Sequence, residues 1–289
     1  MLFKELIKQS LHYLRLMRFD QPIGFLLLLW PTLWALWISG KGHPHISRII
    51  IFTTGAAIMR AAGCIINDIA DRKFDGYVKR TDRRPLVTGK ISPKSAVILF
   101  LILCSIAFGL VLILNPLSVL LSCIALLLTV VYPFTKRFIQ APQLILGCTF
   151  SYGIPIAFAA ETNHIPCIAW LLFLSGVFWA IAYDTEYAMV DRLDDLKIGI
   201  KSTAILFGKL DYLIIGVLQA STIGLLMLIG YLLHLKSAFF MSIGIAGFLM
   251  CHQQRLIWSR SENLCFRAFL NNHWVGLVIF LGIALGGRR

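Results

Sequence analysis

Asn67-Asp68-Ile69-Ala70-Asp71-Arg72-Lys73-Phe74-Asp75 closes an apolar run that begins near residue 47. The run is long enough to cross a bilayer, which takes about 20 helical residues, and a cluster of oxygen-bearing side chains follows it. Continued as a helix, the stretch puts Asn67, Asp71 and Asp75 at i, i+4 and i+8 on one stripe, with Asp68 off it. Carboxylates gathered at a helix C-terminus repel one another and oppose the negative end of the macrodipole. A hard divalent ion such as Mg2+ answers both problems, since it binds one or two carboxylates and completes its shell with water and phosphate. The competing reading is a solvated surface turn. A second stretch weighs against that. Asp191-Arg192-Leu193-Asp194-Asp195 repeats the Asp-Arg-x-x-Asp pattern of residues 71–75 at the end of another apolar run.

Working outward, composition sets the class. Apolar residues make up 58% of the 289, charged residues only 14%, and the mean hydropathy is +0.79. Those values exclude an ordinary soluble domain. The apolar runs are continuous rather than alternating, so the fold class is all-α, a polytopic membrane helix bundle, and not a barrel. Nine spans are expected, at about 22–40, 47–69, 95–114, 117–134, 142–160, 167–187, 211–233, 237–254 and 271–287. Residues 2–18 place Phe3, Leu6, Ile7, Leu11, Leu14 and Met17 at helical spacing with Lys4, Lys8, Arg15 and Arg18 elsewhere. That is the pattern of an interfacial amphipathic helix over about residues 1–20, running directly into the first span. The chain is otherwise read as one domain, 1–289.

The net charge of +13 reflects topology rather than nucleic-acid binding. Lys and Arg number 21 in segments 1–21, 71–94, 135–141, 188–210 and 255–270, against 5 in the alternate segments, with Arg60 inside a span. The positive-inside rule then puts the N-terminus and both acidic motifs at the cytoplasmic face. Ten of the 14 acidic residues fall in or beside those motifs. The seven Cys are scattered without a C-x-x-C pair and read as packing residues.

Arg60 lies about two turns before the first motif, where a charge faces a cavity or an ion-pair partner rather than lipid. On a helix continuing through the second motif, Asp184, Asp191 and Asp195 share a face, while Glu186 and Asp194 point elsewhere. The loop Gly76–Lys90 carries Lys79, Arg80, Arg83 and Arg84 and leads to Ser92-Pro93, an N-cap and first-turn pair. Its cations are topogenic, and as a lid they can also hold diphosphate oxygens. Lys136-Arg137, Lys197 and Lys201 add basic groups to the same face. Two cation-binding clusters over apolar helices describe a site for an amphiphile with a diphosphate head, and ionising an allylic carbon–oxygen bond there predicts prenyl transfer. An ion-coupled transporter is the alternative, although both motifs lie at one face.

The residues Asn67-Asp68-x-x-Asp71-Arg72-x-x-Asp75, Arg80-Thr81, Arg83-Arg84-Pro85-Leu86, Tyr183–Arg192 and Asp195–Ser202 resemble the UbiA superfamily of intramembrane prenyltransferases. Pro22-Ile23-Gly24 and Trp30-Pro31-Thr32-Leu33-Trp34 resemble its bacterial branch that acts on 4-hydroxybenzoate in ubiquinone synthesis. The resemblance implies a nine-helix bundle in the bacterial inner membrane with a central cavity open at the cytoplasmic side. It implies a polyprenyl diphosphate donor, 4-hydroxybenzoate as acceptor and Mg2+ as cofactor, with lipid around the bundle and no nucleic acid. It assigns metal ligation to Asn67, Asp71 and Asp75, with Asp68 secondary, and to Asp191 and Asp195. Arg60, Arg72, Lys79, Arg80, Arg83, Asp184 and Lys201 are the substrate-binding candidates. Arg137 is placed within reach of the diphosphate or the benzoate carboxylate, and Asp191 also as acceptor of the phenol proton. Leu193 stands where relatives carry an acidic residue. Acceptors of the quinone, haem and chlorophyll branches are the alternatives within the family.

Overall fold

The computed structural model describes residues 2–77 and 81–287, with side chains from residue 9 onward. The apolar runs fold into helices: α1 Leu2–Leu16, α2 Ile23–Ser39, α3 Ile46–Asp71, α4 Pro93–Val111, α5 Pro116–Thr135, α6 Pro142–Ser151, α7 Gly153–Thr162, α8 Cys167–Ile198, α9 Thr203–Phe207, α10 Asp211–Leu232, α11 Ser237–Ile257 and α12 Glu262–Leu285. Among the described residues seven segments are long and apolar enough to cross a membrane: α3, α4, α5, the α6–α7 run, α8, the α9–α10 run and α12. At 17 residues α2 is shorter but equally apolar, and α11 carries the polar series His252-Gln253-Gln254-Arg255 in its last turns. This is a multi-pass membrane protein.

Local chemistry fixes the helix ends. Ser92 caps α4 by accepting from the Ser95 backbone, with Pro93 in the first turn, and Asn115 and Pro116 do the same for α5. Four expectations are corrected. α3 stops at Asp71, so Asp75 opens a 3-10 turn, Asp75–Tyr77, instead of extending the stripe. α1 does not run into α2, because Arg18 adopts a left-handed φ of 58° and turns the chain between them. The span at 142–160 breaks at Tyr152. Finally, α12 begins at Glu262, nine residues before the span expected from 271.

Neighbouring contacts run nearly in chain order from α2 through α3, α4, α5, the α6–α7 run, α8, α10 and α11 to α12, which closes the ring on α2. The seam at α2, α8 and α12 is densely packed. Trp34 and Trp179 are fully buried with ring centroids 5.2 Å apart. Their indole N–H groups donate to the Gly276 carbonyl at 3.0 Å and the Asn272 side-chain oxygen at 2.9 Å. Gly276 must be glycine, since a Cβ there would collide with the Trp30 indole. Outside the ring, Ile98, Leu101, Ile102, Leu127 and Phe248 are exposed, as lipid-facing residues should be. Inside it lies a cavity.

Candidate functional site

A cavity of about 1120 Å³ runs up the bundle from the acidic motifs. One end is polar, lined by Asn67, Asp68, Asp71, Asp75, Asp184, Asp191 and Asp195 together with Arg18, Arg60, Arg83, Arg84, Lys136 and Lys201. The other end is apolar, with Phe52, Ala107, Phe108, Val111, Leu114, Ala125 and Leu126. The site is amphiphilic along its length.

The first motif reaches the cavity by two routes. Asn67, Asp68 and Asp71 sit on the last turns of α3, and the chain then tightens as the Phe74 N–H donates to the Asp71 carbonyl at 2.7 Å. That turn carries Asp75 back to the cavity, where Thr81 fixes its carbonyl at 2.7 Å. Each buried carboxylate has met a cation from elsewhere in the chain. Arg18 donates to Asp68 at 2.8 Å, Arg84 lies 2.6 Å from Asp75 and 3.1 Å from Asp68, and Lys136 pairs with Asp71. Burial pushes the Asp75 carboxyl above the usual aspartate range, Arg84 opposing and Asp71 and Asp68 adding to the rise.

The second motif lies on one face of α8, which stays helical through Asp195 as the sequence predicts. Asp184, Asp191 and Asp195 line the cavity. Glu186 points away into a buried network, accepting from Asn272 at 2.8 Å and Gln219 at 3.3 Å, and Asp194 pairs outside with Lys197. Leu193 is exposed and off the cavity. Gly199, at φ 72°, ends the helix, and the Asp195 carbonyl accepts the N–H groups of Gly199 and Ile200. The two motifs are tied together here: the Lys201 N–H donates to the Lys136 carbonyl at 3.1 Å and its Nζ to the Phe138 carbonyl at 3.0 Å.

Arg60 enters the cavity one level deeper. Its guanidinium lies against Gly24, where no Cβ would fit, and one nitrogen donates to Cys64 Sγ at 2.8 Å. Its Nε is buried with no hydrogen-bond partner. Tyr132, Tyr183 and Tyr187 line the wall nearby.

Two candidate residues do not line the cavity. Arg137 is turned onto the end of α3, donating to the Ala70 carbonyl with its guanidinium over the rings of Phe74 and Phe134. Arg72 caps α3 and is exposed. Lys79 and Arg80 lie outside the described residues. Sequence reasoning placed Arg84 and Lys136 only as basic groups of this face and Arg18 only on the amphipathic helix, and it gave no role to the three tyrosines. For Tyr183 and Tyr187 a signal exists, since they flank Asp184 and run toward Asp191 at helical spacing.

Among the described residues no three His, Cys, Asp or Glu side chains converge as a preformed metal cage. The donor set nevertheless fits a hard cation. Asp68 Oδ2 and Asp71 Oδ1 are buried without a hydrogen-bond partner, and a divalent ion that keeps water and phosphate ligands needs only one or two carboxylates.

Residues 28–278 match the profile described as the UbiA prenyltransferase family. The chain is 57% identical over 271 residues to a 4-hydroxybenzoate octaprenyltransferase of Yersinia enterocolitica, covering 94% of each chain. It is 55% identical over 282 residues to the protein of that name in Coxiella burnetii, covering 98% of each. Among solved structures, a UbiA homolog from Aeropyrum pernix K1 superposes with a TM-score of 0.79 at 24% identity, over 90% of this chain and 97% of that one. A UbiA homolog from Archaeoglobus fulgidus bound to GPP and Mg2+ gives 0.70 at 22% identity, over 95% and 98%.

Proposed function

This chain belongs to the UbiA prenyltransferase family, and on that premise we propose that it transfers an octaprenyl group from octaprenyl diphosphate to 4-hydroxybenzoate, as a step of ubiquinone biosynthesis. The allylic carbon–oxygen bond breaks, the ring carbon ortho to the hydroxyl bonds to the freed carbon, and diphosphate and a ring proton leave. The observation that carries this reading is one cavity with acidic motifs and cations at one end and apolar walls at the other.

Asn67, Asp68, Asp71 and Asp75 on one side, and Asp191 and Asp195 on the other, would hold Mg2+. Bound there, Mg2+ neutralises the diphosphate and makes it a better leaving group. Arg18, Arg84 and Lys136 are within the same polar end and hold diphosphate oxygens, with Lys79, Arg80 and Arg83 contributing from the loop and Lys201 from the opposite rim. Arg60 holds the benzoate carboxylate, which satisfies its buried guanidinium. Asp184 lies beside the Gln143 amide and orients the acceptor, and Asp191 accepts the phenol hydrogen bond that enriches the attacking carbon. The faces of Tyr132, Tyr183 and Tyr187 favour the allylic cation. Arg72 lies outside this set, and Arg137 positions the end of α3.

The polar end faces the cytoplasm of a bacterial inner membrane. Supporting this, the five Lys/Arg-rich segments meet at that one end through Arg18–Asp68, Lys136–Asp71, Lys201–Lys136, Arg192–Asp211 and Arg260–Asp211.

The test is product formation by purified protein with 4-hydroxybenzoate, geranyl diphosphate and Mg2+. Asp71→Ala and Asp191→Ala are each expected to lower kcat by roughly 100-fold or more. Turnover at the wild-type rate in both variants would overturn the assignment.

A further inference from the structure

The pair α11–α12 carries a second recess, about 270 Å³, on the side of α12 turned away from the active-site seam. It is lined by His252 and Leu256 of α11 and by Arg267, Leu270, Asn271, His273 and Trp274 of α12. On α12, residues 267, 270, 271 and 274 follow the i, i+3, i+4, i+7 spacing of a single face. His252 and Leu256 make the matching face of α11.

Its depth and chemistry are specific. His252 stands five residues before the end of α11 and Arg267 five after the start of α12, so both lie about 7.5 Å in from the helix ends. Those ends share a side with the acidic motifs, because Arg260 in the connecting turn pairs with Asp211, which also pairs with Arg192. No carboxylate lines the recess. Among the described residues the Arg267 side chain has no hydrogen bond or ion pair, and a lipid-facing charge at that depth calls for a counter-ion. The Asn271 side-chain oxygen is taken by Gln253 at 3.0 Å, leaving the amide N–H2 as a donor. His273 Nδ1 meets the Leu270 carbonyl at 2.7 Å, about 9 Å farther along α12 than Arg267. Trp258 at the end of α11 marks the interfacial level, and the half-exposed Trp274, about 18 Å into α12, closes the inner rim of the recess. Leu256 and Leu270 supply an apolar floor.

We propose that this recess binds the headgroup of an anionic glycerophospholipid, with the phosphate on Arg267, His252 and the Asn271 amide. Basic pockets between membrane helices recognise such headgroups in this way. Charge complementarity selects the occupant, since a zwitterionic headgroup would bring its own cation against Arg267. Leu270 lines both this recess and the active-site cavity, so the bound lipid stands one side chain from the reaction.

The test is native mass spectrometry of the full-length protein in detergent with equal phosphatidylglycerol and phosphatidylcholine. Wild-type protein is expected to retain one phosphatidylglycerol in preference by roughly fivefold or more per basic group. Arg267→Gln combined with His252→Gln should abolish the preference, and Arg267→Lys should keep it, all with unchanged melting temperature in phosphatidylcholine. Equal retention of the two lipids by wild type, or an undiminished preference in the double variant, overturns the proposal. A preference erased by millimolar inorganic phosphate also overturns it, because the recess would then be a simple anion site.

Discussion

Arg18, Arg84 and Lys136 each meet a carboxylate of the first motif, and this pairing offsets the mutual repulsion of so acidic a buried cluster. None of the three contacts was legible in the sequence. Arg18 is 50 residues from Asp68 and Lys136 is 65 from Asp71, so only the tertiary fold decides that Lys136 and not Arg137 turns inward. Asp191 and Asp195 were legible because one helix carries them and spacing fixes the face. Arg60 was legible in part: a charge within a span implies a cavity, but the contact with Gly24 that aims it comes from another helix. At this scale Arg60→Gln is expected to raise the KM for 4-hydroxybenzoate about tenfold or more, in line with losing a charge-assisted bond, while leaving the KM for the prenyl diphosphate within about twofold. Steady-state kinetics with each substrate varied in turn checks this, and equal shifts in both would place Arg60 on the diphosphate instead.

Helix ends, more than helix existence, separate expectation from structure. Capping chemistry gave the start of α4, whereas the stop of α3 at Asp71 is set by the tight turn that Phe74 and Thr81 stabilise, which no spacing rule announces. The early start of α12 was hidden because residues 262–270 carry Glu262, Asn263 and Arg267 and read as part of a basic connecting segment, yet Cys265 and Ala268 are buried there. The motif-bearing end of α8 depends on a buried partner. Asp211, fully buried at the start of α10, holds Arg192 of the second motif and Arg260 of the α11–α12 turn. Replacing it as Asp211→Asn leaves Arg192 short of a counter-charge, and losing this part-exposed pairing costs about 1–2 kcal/mol. The expected result is a lower unfolding temperature in detergent, measured by thermal scanning, with the prenyl product unchanged in kind. An unaltered unfolding temperature would mean that the clamp is not needed.

Across the whole molecule, charge is polarised. The end opposite the motifs holds Glu161, which Arg48 pairs, and the cavity between is walled by aliphatic and aromatic residues rather than by a file of ionisable groups. That separates a transferase from an ion pathway, which needs polar steps through both halves. Ala107, on α4 about 21 Å from its start by helical rise, lines the apolar part. Ala107→Trp should therefore reduce kcat/KM for octaprenyl diphosphate at least tenfold while sparing dimethylallyl diphosphate, and equal loss for both donors would place the tail elsewhere. The most direct measurement on the central claim is mass spectrometry of the product from purified protein, 4-hydroxybenzoate, octaprenyl diphosphate and Mg2+, with and without EDTA, followed by assignment of the ring position. The expected result is an octaprenyl group on the carbon ortho to the hydroxyl, lost when EDTA is present. Folded protein that yields no such product, or yields it equally with the metal chelated, would contradict it.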